Sequence, residues 1–175
     1  RAPPAPPPTA TASRFSGAMP TTTPFPRRPF RFGVQADGTG DRASWTGLAR
    51  RIEDAGYSTM TMPDHFGEQL APLPALQCAA DATTTLRLGA LVYDNDYKHP
   101  VVLAKELATI DVLSGGRLIV GVGVGDRMDE PEWANLGKLE RMSLRGAYLD
   151  EAIALWRHLW SGSSEPFRGR FHQLE

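Results

Sequence analysis

Asp64 and His65 follow the run Thr59-Met-Thr-Met62, with Pro63 fixing the entry of the chain. An imidazole titrates near neutrality, so a histidine here can give or take a proton at pH 7. The carboxylate beside it can bond a ring nitrogen of a ligand or orient the loop. The plainer alternative is that Asp64 caps a turn and His65 is a bystander. A second candidate is Gly121-Val-Gly-Val-Gly125. It is not a dinucleotide fingerprint, because the third glycine would fall on Asp126 or Met128. Its glycines permit close approach, either by a flat ring or by a neighbouring strand. Asp126 comes next, as an acid partner across a site from His65 or as the cap of the following turn.

Other reactive side chains have simpler readings. His99 stands ahead of a proline-started helix, Cys78 is a small core residue, and Arg117 after Gly-Gly serves a turn through a salt bridge. No Ser-His-Asp set, metal-ligand cluster or phosphate-cradling lysine loop is visible. A single cysteine excludes an intrachain disulfide and a multi-thiolate zinc site, and fits a reducing compartment. Nineteen basic and 20 acidic residues give a net charge of −1, without the basic excess a nucleic-acid partner would want. No apolar run approaches the ~18 residues of a membrane span.

The elements that must position these residues begin at Phe30. Nine of the 15 prolines lie between Pro3 and Pro29, so residues 1–29 read as a disordered, polyproline-like leader. That stretch lacks the apolar core of a signal peptide, and the expectation is a cytoplasmic protein. Strands are expected at Phe30–Gln35, Thr59–Met62, Leu86–Tyr93 and Arg117–Val124. Helices are expected from Ser44 to Gly56, over 72–84, from His99-Pro100 to Ser114-Gly115-Gly116, and over Leu144–Trp160. The last is apolar around most of its circumference and should pack on more than one side. The strands start at roughly 30-residue intervals, the length of one strand–helix unit of a parallel sheet. The fold class is therefore α/β. Each strand turns polar at its carboxyl end, at Gln35 and Asp37, Asp64 and His65, Asp94 and Asn95, and Asp126. In parallel α/β folds that is the end where ligands bind, so one site built from successive loops is expected.

Taken together, Asp64-His65-Phe66, Leu86-Arg-Leu-Gly89, His99-Pro100-Val-Val-Leu-Ala-Lys105, Ala108 to Leu118 and Gly121 to Gly125 resemble the luciferase-like monooxygenase family. The pattern is most similar to members dependent on the deazaflavin coenzyme F420. The resemblance runs over about 30–175, and His99 to Gly125 is its most specific part. It implies a (β/α)8 TIM barrel, of which this chain would form about the first four β/α units, a full barrel taking ~250 residues.

The resemblance also implies a ring cofactor over the ends of strands two to four. Asp64 and His65 match an Asp-His pair whose histidine sits near the hydride-carrying carbon. Leu91–Val92 match a non-proline cis peptide that forms a bulge behind the ring. Val124, Gly125, Asp126 and Asp129 match groups along the ring edge, and Asp126 matches a carboxylate used in proton transfer. Asp94, at the end of the third strand, joins the candidate cofactor contacts. Gln69 stands where a sugar-phosphate dehydrogenase of this branch carries Trp, which argues against that substrate. The expected function is F420-dependent hydride transfer to or from a small organic substrate, with His65 and Asp126 catalytic. The alternatives are an FMN-dependent monooxygenase and a truncated, non-catalytic ring-binding fragment. A homodimer is implied for a full-length protein. Half a barrel leaves its first and fourth strands as open edges.

Overall fold

The structure is a computed structural model that describes residues 29–125 and 142–175. The leader expectation for 1–29 rests almost wholly on residues outside that description. The chain divides into two compact units, Arg1–Phe30 and Arg31–Glu175, and the account below concerns the second.

Four strands, β1 (Gly33–Gln35), β2 (Thr59–Met62), β3 (Arg87–Asp94) and β4 (Leu118–Gly123), form one sheet in sequence order. All three neighbour pairs are parallel. Between them run α1 (Arg42–Asp54), α2 (Pro72–Ala82) and α3 (Pro100–Leu113), and α4 (Met142–Trp160) follows β4. This is the expected α/β architecture, because a parallel strand can be reached only by a crossover, and the helices supply it.

The periodicity buries what it should. In α1, Trp45, Ala49 and Ile52 face inward, and the Trp45 indole N–H donates to the Ala75 carbonyl of α2 (2.8 Å). Met60 and Met62 of β2, Leu88 and Ala90 of β3, and Leu103 and Leu107 of α3 complete the core. Cys78 packs partly buried against it. Among the boundaries that differ from the periodic reading, three have a local cause. The first helix starts at Arg42, not Ser44, because Asp41 caps it by accepting the Ser44 N–H (2.8 Å). The second stops at Ala82, since Thr83 turns extended and its hydroxyl donates back to Ala79 (2.8 Å). The first strand is only Gly33–Gln35, and ahead of it Phe32 is tied to β2's approach by the Ser58 N–H (2.9 Å).

His99 is the cap of α3, its Nδ1 accepting the Val101 N–H (3.3 Å) ahead of Pro100. Arg117 does more than serve a turn. Its guanidinium donates to the carbonyls of Ser114 (2.6 Å), Ala80 (2.8 Å) and Leu86 (3.2 Å) and to the Thr83 hydroxyl (3.0 Å). Its hydrogen-bond partners are thus neutral oxygens at the amino end of the sheet, not the carboxylate of the expected salt bridge. Nearby, Glu53 accepts the N–H groups of Thr84, Thr85 and Leu86 at 2.9, 2.6 and 2.8 Å. Burial pulls its carboxyl up, but these donors outweigh burial and hold it down at about 2.

The fourth helix packs on two partners, as its broad apolar face implies. Trp156 and Trp160 donate to the α3 carbonyls of Pro100 (2.9 Å) and Ala104 (3.1 Å). Glu151 accepts the N–H groups of Arg170 (2.6 Å), Phe171 (2.8 Å) and His172 (2.7 Å). That clamp seats a two-stranded antiparallel ribbon, β5 (Phe167–Arg168) and β6 (Gln173–Leu174).

Candidate active site

The carboxyl ends of β2, β3 and β4 meet at a cleft of about 400 Å³, lined by Asp64, His65, Leu91, Val92, Asp94, Tyr97 and Gly123 to Gly125. Seven of the sequence-derived candidates, Asp64, His65, Leu91, Val92, Asp94, Val124 and Gly125, are brought together here. Asp126 and Asp129 lie outside the described residues.

The floor of the cleft is a break in β3. The Leu91–Val92 peptide bond is cis, at the position the resemblance implies. The register of β3 against β4 shifts between Ala90 and Tyr93. Strand alternation is interrupted there, and two consecutive side chains become exposed, Leu91 at 54 % and Val92 at 38 %. They present an apolar face of the kind that takes a flat ring.

The glycines of β4 make room for that bulge. A Cβ on Gly121 would stand 2.7 Å from the Ala90 carbonyl oxygen, and one on Gly123 would stand 2.7 Å from Val92 Cγ2. Of the two readings open for the glycine run, close approach by a neighbouring strand accounts for both positions. Gly125 is different. Its φ is +75°, and a Cβ there would collide with the Asp94 carboxylate and the Arg145 guanidinium.

Beneath the cleft lies a buried charged cluster. Asp94 is the last residue of β3 and is 5 % exposed. Its N–H donates to Asp64 Oδ2 (3.2 Å), and its Oδ1 accepts the Asp96 N–H (2.8 Å). Asp96 is ion-paired with Arg145 Nε of α4 at 2.6 Å, both side chains buried. Burial pushes the Asp94 carboxyl up, the Asp96 N–H and the Arg145 charge pull it down, and the Asp96 and Asp64 charges add to the rise. The outcome is about 6. Next to it, burial first and then the Asp64 and Glu106 charges raise the Tyr93 hydroxyl above its ordinary range. Asn95 is buried, with both side-chain amide atoms lacking a partner among the described residues. Its N–H donates to the Gly123 carbonyl (3.1 Å), so the β3–β4 ladder resumes past the bulge.

Periodicity missed Tyr97, Asp96 and Arg145. Arg145 left a signal, as a charged residue in a helix apolar on most sides. A burial cost of that kind is met only by a buried partner.

The donor set fits the ring portion of a flavin-like group, with an apolar floor and carboxyl and backbone groups at the rim. No lysine or arginine lines this cleft among the described residues, so nothing there matches an anionic tail. Nor do the described residues hold a cluster of three or more His, Cys, Asp or Glu suited to a metal. None of the described helices is long and apolar enough to cross a membrane.

Comparison with known proteins places the site in a family context. Residues 28–175 match the family model described as luciferase-like monooxygenase. An F420-dependent glucose-6-phosphate dehydrogenase of Mycolicibacterium fortuitum is 31 % identical over 135 residues, covering 73 % of this chain and 40 % of that protein. The crystal structure of monooxygenase RslO1 from Streptomyces bottropensis superposes with a TM-score of 0.73 at 26 % identity, covering 83 % of this chain and 47 % of that one. The coenzyme F420-dependent tetrahydromethanopterin reductase of Methanopyrus kandleri gives 0.72 at 22 % identity, covering 83 % and 44 %, a likeness of fold. The chain thus spans about two fifths of the length of the curated relatives it matches.

Proposed function

The chain belongs to the luciferase-like monooxygenase family, and we propose that its cleft is the ring site of an F420-dependent oxidoreductase. In this reading the whole protein transfers a hydride between reduced deazaflavin and a small organic substrate, as a homodimer. Residues 30–175 supply the first four β/α units of the barrel, behind a leader at 1–29. One observation carries the reading: the register shift in β3 leaves Leu91 and Val92 exposed beside the exposed His65 in a single cleft.

The bound deazaflavin supplies the hydride-carrying carbon. The chain's own residues do the rest. Leu91 and Val92 hold one ring face and exclude water from it. Asp64, Asp94 and the backbone at Val124 and Gly125 meet the ring edge. His65 gives or takes the proton at an imidazole nitrogen, with Asp126 as second acid and Asp129 at the rim. The relatives named for F420 support the cofactor. Among the described residues no cation lines the cleft for an anionic tail, and this reading assigns turnover to the whole protein.

The test is titration of the whole protein with F420 and with FMN, followed by turnover of the His65→Asn variant. F420 should bind, and the variant should keep ring affinity while losing about 10²–10⁴-fold in kcat. FMN binding without F420 binding overturns the cofactor and favours an FMN-dependent monooxygenase. Ring binding without turnover by wild-type protein favours a non-catalytic binding role. An unchanged kcat removes His65 from the mechanism.

A further inference from the structure

Two hollows lie on either side of β3. Leu91 and Val92 face the candidate cleft. Tyr93, the next residue, lines a separate hollow of about 140 Å³ on the helix side of the strand. The start of α2 at Pro72 to Pro74 and Leu103 of α3 form its outer walls. Asp64, Asp94 and Tyr97 line both hollows and are the partition between them. Ala71, Pro74 and Lys98, all exposed, open the second hollow to solvent. Lys98 is ion-paired there with Glu106 (2.7 Å).

The Tyr93 hydroxyl identifies what fills this hollow. The residue is 2 % exposed, and its hydroxyl has no hydrogen-bond partner among the described residues. Burial first, then the Asp64 and Glu106 charges, keep the phenol protonated, so it calls for an acceptor. A buried hydroxyl left without one costs free energy. An anion is the wrong acceptor. Two carboxylates flank the hollow, and Pro72 and Pro74 lack the N–H groups that hold anions at a helix start. Water accepts from Tyr93, donates to the carboxylates, and needs only ~10–15 Å³ per molecule.

We propose that the hollow is a water-filled proton port, through which Asp94 exchanges protons with solvent on the face of β3 away from the cleft. A ring seated on Leu91 and Val92 shuts water out of the cleft, so a proton spent there has to be replaced through a wall. Asp94 is the wall group suited to carry it. The charged groups facing it are Asp64 from the end of β2, Asp96 from the turn after β3 and Arg145 from α4. Their balance with burial holds its carboxyl at about 6, where it both takes and gives a proton near neutrality. The use of that proton rests on the hydride-transfer reading above; the port itself does not. In that reading His65 gives one proton to the substrate, the Asp94 carboxyl restores the imidazole, and water in the hollow restores the carboxyl. No electrons move in these steps, and the oxidative direction runs them backward.

Infrared spectroscopy of the cofactor-free protein after rapid mixing into D2O tests the port. The pH is set between the ordinary 3.8 and the raised value of about 6, so that Asp94 is protonated. Its carboxyl band is the one lost in Asp94→Asn. In wild-type protein the band should take its deuterium shift within the mixing time. Ala71→Trp plugs the mouth from an exposed position, and exchange must then wait for local opening of the fold. Pro74→Trp repeats the plug from a second exposed position if the first variant does not fold. Leu91→Trp crowds the cleft instead and should leave exchange fast. Absence of the band, slow exchange in wild-type protein, no slowing by the plug, or any slowing by Leu91→Trp overturns the proposal. In the whole protein loaded with F420, the plug should lower kcat about tenfold with ring affinity unchanged. An unchanged kcat overturns the relay. A wild-type protein that exchanges fast but does not turn over refutes the cofactor reading alone.

Discussion

Replacing Asp94 by asparagine should stabilise the fold at neutral and alkaline pH. The carboxyl is raised from 3.8 to about 6, burial being the largest cause. A group raised in the folded state favours folding below its unfolded value. That advantage is lost as pH climbs through the folded value. The gap between 3.8 and about 6 corresponds to about 3 kcal/mol. With the residue 5 % exposed, solvent screening takes little from that figure. Asparagine keeps an Oδ1 to accept the Asp96 N–H and removes the charge. Arg145 keeps its 2.6 Å partner Asp96. Urea unfolding of both proteins from about pH 4 to about pH 8 is the assay. The curves should meet near the acid end and diverge until the variant is more stable by up to about 3 kcal/mol. Parallel curves, or a variant less stable at the alkaline end, would refute the assignment of burial as the dominant force on Asp94.

Further tests follow from the same geometry. Glu53→Ala should cost about 2 kcal/mol at neutral pH, because three N–H groups lose a charged acceptor. A carboxyl lowered to about 2 favours folding above its unfolded value, so the difference should fade as pH drops from 4.5 toward 2, read by urea midpoints. Gly125→Ala should cost about 1–3 kcal/mol and weaken ring binding, since its φ is +75° and its Cβ would strike Asp94 and Arg145. Gly56→Ala is the control: φ is +84° but nothing lies within 4 Å of the added methyl, so only the backbone cost of about 1 kcal/mol should appear.

The sequence made the β/α alternation legible because each element carries its own punctuation. Pro63 closes β2 at its expected bounds, and Pro100 and Ser114 bracket α3. Phe30-Arg-Phe32 continues the apolar pattern and extends the expected first strand, while only Gly33–Gln35 reach the ladder. The site divides in the same way. Asp64, His65 and Asp94 stand where strands turn polar, and local pattern suffices to find them. The Asp96–Arg145 pair joins residues 49 apart, and no periodicity encodes such a contact. Nothing in Leu91 and Val92 as residue types announces a cis bond, and only the family resemblance located it. The role of the β4 glycines is equally non-local, because their crowding comes from the bulge in β3.

Arg117 draws the ends of α2 and α3 and the start of β3 onto one guanidinium, and it does so at the opposite end of the sheet from His65. Fastening and chemistry are thereby kept apart, as barrel scaffolds generally arrange them. Segments around the mouth can be exchanged to redirect selectivity while the base stays latched, which makes this scaffold a forgiving one to re-engineer from the top.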